Sequence, residues 1–114
     1  MGDDPLARRL SDLETARLAL VRELEALGQA VELNRELRRR GTTMTDIFRQ
    51  SPGPATRRRV RQALNRLNEA LHAYRAEAVR CLVEEEGLSI AEVARRTGNA
   101  RQVISRLYQA ARRD

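Results

Sequence analysis

The chain has little of what a β-rich core, an oxidised scaffold or a metal site is built from. It has no tryptophan, one phenylalanine and two tyrosines in 114 residues, so Phe48, Tyr74 and Tyr108 are its only large rings. A core must therefore be assembled from Leu, Val, Ile and Ala, which suits helix-on-helix packing and, with abundant Arg and Glu, predicts an all-α fold. The single cysteine, Cys81, excludes an internal disulfide and is consistent with a reducing compartment. It falls on an apolar helical stripe, where a packed thiol is expected rather than a reactive one. His72 is the only histidine, and there is no Cys/His cluster at metal-ligand spacing. Nor is there a glycine-rich phosphate loop or a nucleophile beside a base, so neither an enzyme nor a cofactor is expected. No run of apolar residues reaches membrane-span length, and the N-terminus is acidic rather than signal-like. The expectation is a soluble, cytoplasmic protein without membrane contact.

Lysine is absent: all 22 basic residues are arginine, and the net charge is +6. Codon bias accounts for the missing lysine, but not for where the charge sits. Residues 1–30 carry 4 Arg against 6 acids and residues 62–88 carry 3 against 5. Residues 31–61 carry 9 against 3, and residues 89–114 carry 6 against 2. Positive charge in two blocks is the footprint of a polyanion binder.

One of those blocks contains SIAEVARRTGNARQVISRLY, residues 89–108. Ser89 and Glu92 form an S-x-x-E capping box. Ile90, Val93 and Ala94 then line one helical face. Gly98 ends that helix by supplying a left-handed residue. A second amphipathic helix turns Val103, Ile104 and Leu107 inward. Residues 88–110 resemble the helix-turn-helix of bacterial DNA-binding proteins, including resolvase/invertase domains, the promoter-binding end of sigma factors and many repressors. Ala94, Gly98 and Ile104 stand at the small, turn and branched apolar positions of that motif. Asn99 and Ala100 depart from its usual apolar and Ser/Thr residues, and Asn99 is expected to cap the second helix one position early.

The resemblance implies a reading helix in the major groove. Arg101, Gln102 and Ser105 are expected at base edges, followed by Arg106 and Gln109. Arg95, Arg96 and Arg112, with Arg113, are expected on phosphates, and Asn99 on phosphate or its own backbone.

Ahead of this motif, two long helices and a break are predicted. The first spans about Asp4 to Arg40, with Asp4 capping and Pro5 at the first helical position. Leu6, Leu13, Leu20 and Leu27 occupy one heptad position, and Leu10, Leu24 and Val31 the other. Arg17 interrupts the second series and Asn34 continues the first. Leu18, Val21, Leu33 and Leu37 widen the apolar surface. A helix of this length spans roughly 50 Å and needs a partner to bury its seam. Gly41 to Pro54 is the break, within which Thr45–Phe48 is expected to make one turn that tucks Ile47 and Phe48 against a core. The next helix runs from about Ala55 to Glu86 with the stripe Val60, Leu64, Leu67, Leu71, Tyr74, Ala78 and Cys81.

The predicted organisation is a long antiparallel, coiled-coil-like hairpin, residues 1–86, that makes a homodimer, followed by a helix-turn-helix over 87–114. The expected function is sequence-specific recognition of double-stranded DNA as a bacterial or phage transcriptional regulator. The alternatives are a helical protein-interaction adaptor and a sequence-neutral nucleoid protein. No ligand pocket is expected, so a regulatory signal would come from a partner protein or a modification. Arg38–Arg40 and Arg57–Arg61 flank the break and would gather at one end of such a hairpin.

Overall fold

The computed structural model describes residues 4–51 and 53–113, and every element among them is helical. The order is α1 (Pro5–Arg39), α2 (Met44–Gln50), α3 (Gly53–Arg80), a π-helical turn (Cys81–Glu85), α4 (Ile90–Thr97) and α5 (Arg101–Arg113). No described helix is long and apolar enough to cross a membrane. By packing, the chain divides into one unit of residues 1–14 and 68–114 and a second of residues 15–67.

Local chemistry sets the ends of α1. The Asp4 carboxylate accepts from the Leu6 N–H at 3.3 Å and the Asp4 carbonyl accepts from Arg8 at 3.0 Å, satisfying donors that a helix start leaves unpaired. At the other end Gly41 adopts φ 85°, and two reverse bonds close the helix: Gly41 N–H to Arg38 O and Thr42 N–H to Leu37 O, each 3.0 Å. That is the paired closure a left-handed residue permits after a helix.

In the second unit the buried positions of α1 are Ala16 and Ala30, each 8% exposed, not leucines. Leu13, Leu20, Asn34 and Leu37 are half-buried, whereas Leu10, Leu24, Leu27 and Val31 are exposed, as are Leu18, Val21 and Leu33. The two heptad series thus part company over most of their length: Leu6, Leu13 and Leu20 turn partly inward, while Leu27 of the same series and Leu10, Leu24 and Val31 of the other are exposed. On α3 the buried residues are Thr56, Ala63, Ala76, Glu77 and Val79. Of the apolar stripe expected there, only Cys81 is buried, and Leu64 and Leu71 are exposed. An ion pair, Arg59 Nε to Glu23 at 3.2 Å, joins residues 36 apart in sequence within this unit.

The break contains more order than one turn. Thr43 Oγ1 accepts from the Asp46 N–H at 3.2 Å and starts α2, and Ser51 N–H returns to Ile47 O at 2.8 Å. Ile47 is buried as expected, at 1% exposure. Phe48 is not: it is 71% exposed, because consecutive helical residues point about 100° apart and only one of the two can enter the core.

In the other unit a single apolar cluster joins the end of α3 to α4 and α5. It contains Ala76, Val79, Val93, Ala94, Ile104 and Leu107, with Leu82, Val83, Leu88 and Tyr108 packed against it. Of the predicted inward faces of residues 89–108, Val93, Ala94, Ile104 and Leu107 are buried and Ile90 and Val103 partly so, and Leu88 packs against them as anticipated. Arg80 organises the π-helical turn. It forms ion pairs with the buried Glu77 at 2.7 Å, with Glu84 at 3.2 Å and with Glu85 at 3.4 Å. The widened turn closes with Glu86 N–H on Cys81 O, a five-residue span.

Candidate nucleic-acid interface

Helix α4 starts where the capping box places it. The Ser89 hydroxyl accepts from the Glu92 N–H at 3.1 Å. The reciprocal half of the box is replaced, because the Glu92 carboxylate is engaged elsewhere: it forms ion pairs with Arg95 and, at 2.8 Å, with Arg96. Those two guanidiniums hold the Glu92 carboxyl below the usual carboxylate range, Arg95 having the larger effect. Arg95 is pushed up in turn by its bond to Glu92. Sequence reasoning placed Arg95 and Arg96 on phosphates without noting this partner, although Glu at i with Arg at i+3 and i+4 is the spacing that pairs on a helix. Both arginines remain well exposed, so the pairing is of the weak, solvent-screened kind.

The turn between the two helices is short and specific. Gly98 has φ 71°, and both its N–H and that of Asn99 return to Ala94 O, the latter at 3.0 Å. A side chain at this φ is strained, which is why glycine stands here. The Asn99 side chain does not cap α5, contrary to expectation. Its amide donates backwards, to Thr97 Oγ1 at 2.9 Å and Thr97 O at 3.3 Å. Thr97 Oγ1 itself donates to Val93 O at 2.8 Å. The polar side chain at position 99 therefore closes α4, and α5 begins on the Ala100 carbonyl, which accepts from Val103 and Ile104 at 3.1 and 3.2 Å.

Helix α5 has two chemically distinct faces. Ile104 and Leu107 are 1% and 4% exposed and sit in the core cluster. On the other side Arg101, Gln102, Ser105, Arg106 and Gln109 are all exposed. The side chains of Arg101, Gln102, Ser105 and Arg106 have no hydrogen-bond or ion-pair partner among the described residues. Arg101 shares a shallow depression with Ser89, Glu92, Arg95 and Asn99, so the starts of α4 and α5 form one surface. Arg112 lies 5.6 Å from the Tyr108 ring centroid, a cation–π contact that holds its charge near the end of α5. Arg113 donates to Gln109 O at 3.4 Å.

Sequence reasoning missed the tie between α5 and the π-helical turn. The Tyr108 hydroxyl donates to Glu84 at 2.9 Å. This bond lowers the Glu84 carboxyl below its ordinary value and raises the Tyr108 phenol above its own. Glu84 and Tyr108 are 24 residues apart, and no local pattern connects them.

The second basic block is partly neutralised. Arg39 and Arg40 pair with Glu36, and Arg59 with Glu23. Compared with protein-family models, curated proteins and solved structures, the chain matches none of them.

Proposed function

We propose that the protein binds double-stranded DNA, with α4 and α5 acting as a helix-turn-helix and α5 entering the major groove. One observation carries this reading: a row of hydrogen-bonding side chains on α5, without partners among the described residues, lies back to back with a fixed core face. Long polar groups held on a rigid helix and left without partners suit base-edge and phosphate contacts. Arg101, Gln102 and Ser105 would read bases, with Arg106 and Gln109 beside them. Arg95, Arg96, Arg112 and Asn99 would contact the sugar-phosphate backbone. Both arginines on α4 are displaceable from Glu92, because an exposed pair contributes only about 0–1 kcal/mol.

One reading helix covers few base pairs, so we further propose a homodimer. In it α1 and α3 pair as an antiparallel hairpin, for which the Arg59–Glu23 ion pair is support. The outward Leu10, Leu24, Leu27 and Val31 face a second copy, and two α5 helices then fall on half-sites about 34 Å, or a multiple, apart. The role is that of a site-specific transcriptional regulator of the bacterial or phage kind.

The test is selection of bound fragments from a random duplex pool at two salt concentrations. The expected result is a recurring palindromic sequence whose enrichment survives the higher salt. Equal capture of unrelated duplexes at low salt, lost at high salt, would indicate a sequence-neutral nucleoid protein. No capture at either would overturn DNA binding and leave a helical adaptor.

A further inference from the structure

The second unit, residues 15–67, contains a cleft of about 630 Å³ among residues of α1, α2 and the start of α3. The sequence predicted no such site. Its apolar walls include Leu27, Phe48, Val60 and Leu64. Its size and mainly apolar lining are those of a small-molecule site, in which a few convergent polar groups fix the ligand's orientation.

Two residues of that kind are present. Asn34 and Ser51 line the cleft, and Asn34 Oδ1 and Ser51 Oγ are buried in its wall with no hydrogen-bond partner among the described residues. Buried polar groups are almost always satisfied, so a pair of orphans on one cleft calls for a partner from outside the chain. Asn34 Oδ1 can only accept, which requires a donor on the occupant. Charge supplies the third constraint. Arg57 and Arg61 both line the cleft, neither has an ion-pair partner among the described residues, and no acidic residue lines it. They stand four residues apart on α3, on one side of that helix, so two like charges are held together with no acidic side chain between them to offset their repulsion.

We propose that this cleft binds a free, small, anionic amphiphile: a carboxylate with an apolar body and one hydrogen-bond donor near the carboxylate. The body lies against Phe48, Val60 and Leu64, the carboxylate meets Arg57 and Arg61, and the donor meets the side-chain amide of Asn34 as it turns into the cleft. This inference does not rest on the DNA-binding reading.

The experiment is calorimetric titration of the full chain with 3-hydroxydecanoate below its aggregation concentration, alongside its methyl ester and plain decanoate. The expected result is saturable binding, one ligand per chain, with the acid at least tenfold tighter than the ester. Arg57→Gln with Arg61→Gln, both at exposed positions, should erase the acid–ester difference while leaving the helical circular dichroism intact. Asn34→Leu should erase the preference for 3-hydroxydecanoate over decanoate. Absence of saturable binding, or equal binding of acid and ester to the unaltered protein, would overturn the proposal. So would uptake of the acid only as a dimer dissociates, which would make a second copy the true occupant.

Discussion

The Tyr108 hydroxyl donates a 2.9 Å hydrogen bond to the Glu84 carboxylate, linking α5 to the π-helical turn that follows α3. The bond joins an acid whose pKa is lowered to a phenol whose pKa is raised, so its contribution is confined between two titrations. Glu84 stabilises the fold above the unfolded carboxylate value, and this is lost as pH falls through the depressed folded value. Tyr108 stabilises it below the unfolded phenol value, and this is lost as pH rises through the raised folded value. Tyr108→Phe should therefore lower the melting temperature near neutral pH. It should make little difference well below the depressed Glu84 value or well above the raised Tyr108 value, where the unaltered protein has lost the charge-assisted bond too. Melting curves across pH check this, and a pH-independent deficit would assign the effect to packing alone.

The two faces of α5 should separate stability from binding. Ile104→Ala removes a fully buried side chain from the core cluster and should cost about 2–5 kcal/mol of stability. Arg101→Ala removes an exposed side chain that has no hydrogen-bond or ion-pair partner among the described residues, and should change stability by no more than about 0.5 kcal/mol. The same change should cost about 1–3 kcal/mol on the selected DNA site and relax preference at one base position. Denaturant titration and binding to single-base variants of the site distinguish these outcomes.

Glu92 restrains Arg95 and Arg96, so removing its charge should favour polyanions. Glu92→Gln keeps the backbone N–H that Ser89 caps and releases both guanidiniums. The expected result is tighter binding to duplexes of any sequence, with a steeper dependence on salt. Unchanged affinity and salt slope would remove these arginines from the phosphate contacts.

Leu24 and Val31 are 47% and 45% exposed, which makes them suitable probes of self-association. Burying the exposed half of each should contribute about 1 kcal/mol per side chain to a dimer. Leu24→Glu with Val31→Glu should convert a dimer to a monomer in sedimentation equilibrium while leaving the helical signal unchanged. A mass that stays dimeric places the interface elsewhere.

Much of the local architecture was legible because it depends on single residues. Asp4, Gly41, Ser89 and Gly98 mark helix ends through a capping side chain or a left-handed residue, and the bonds these permit are present, although the return bond from the Glu92 carboxylate is not. The inward face of residues 89–108 was legible for a related reason: Val93, Ala94, Ile104 and Leu107 repeat at helical spacing in short helices with one core to face. The seam of α1 was not. Apolar periodicity selects large side chains, whereas Ala16 and Ala30 are the residues of α1 buried most. Asn99 was misjudged because its amide can serve either neighbouring helix, and only the turn geometry decides. The cleft depends on where α2 lies against α1 and α3, and the Tyr108–Glu84 bond on a contact between distant segments. Neither leaves a periodic trace in the chain.

Cys81 is the only thiol and is 8% exposed, beside the ion-paired Arg80 and Glu77. Burial raises its pKa, so the unopened protein presents a shielded and poorly nucleophilic sulfur. Alkylation must then wait for the π-helical turn to come apart. The natural sequence thus contains its own clock for transient opening of that region, readable by the rate of thiol labelling without any introduced reporter.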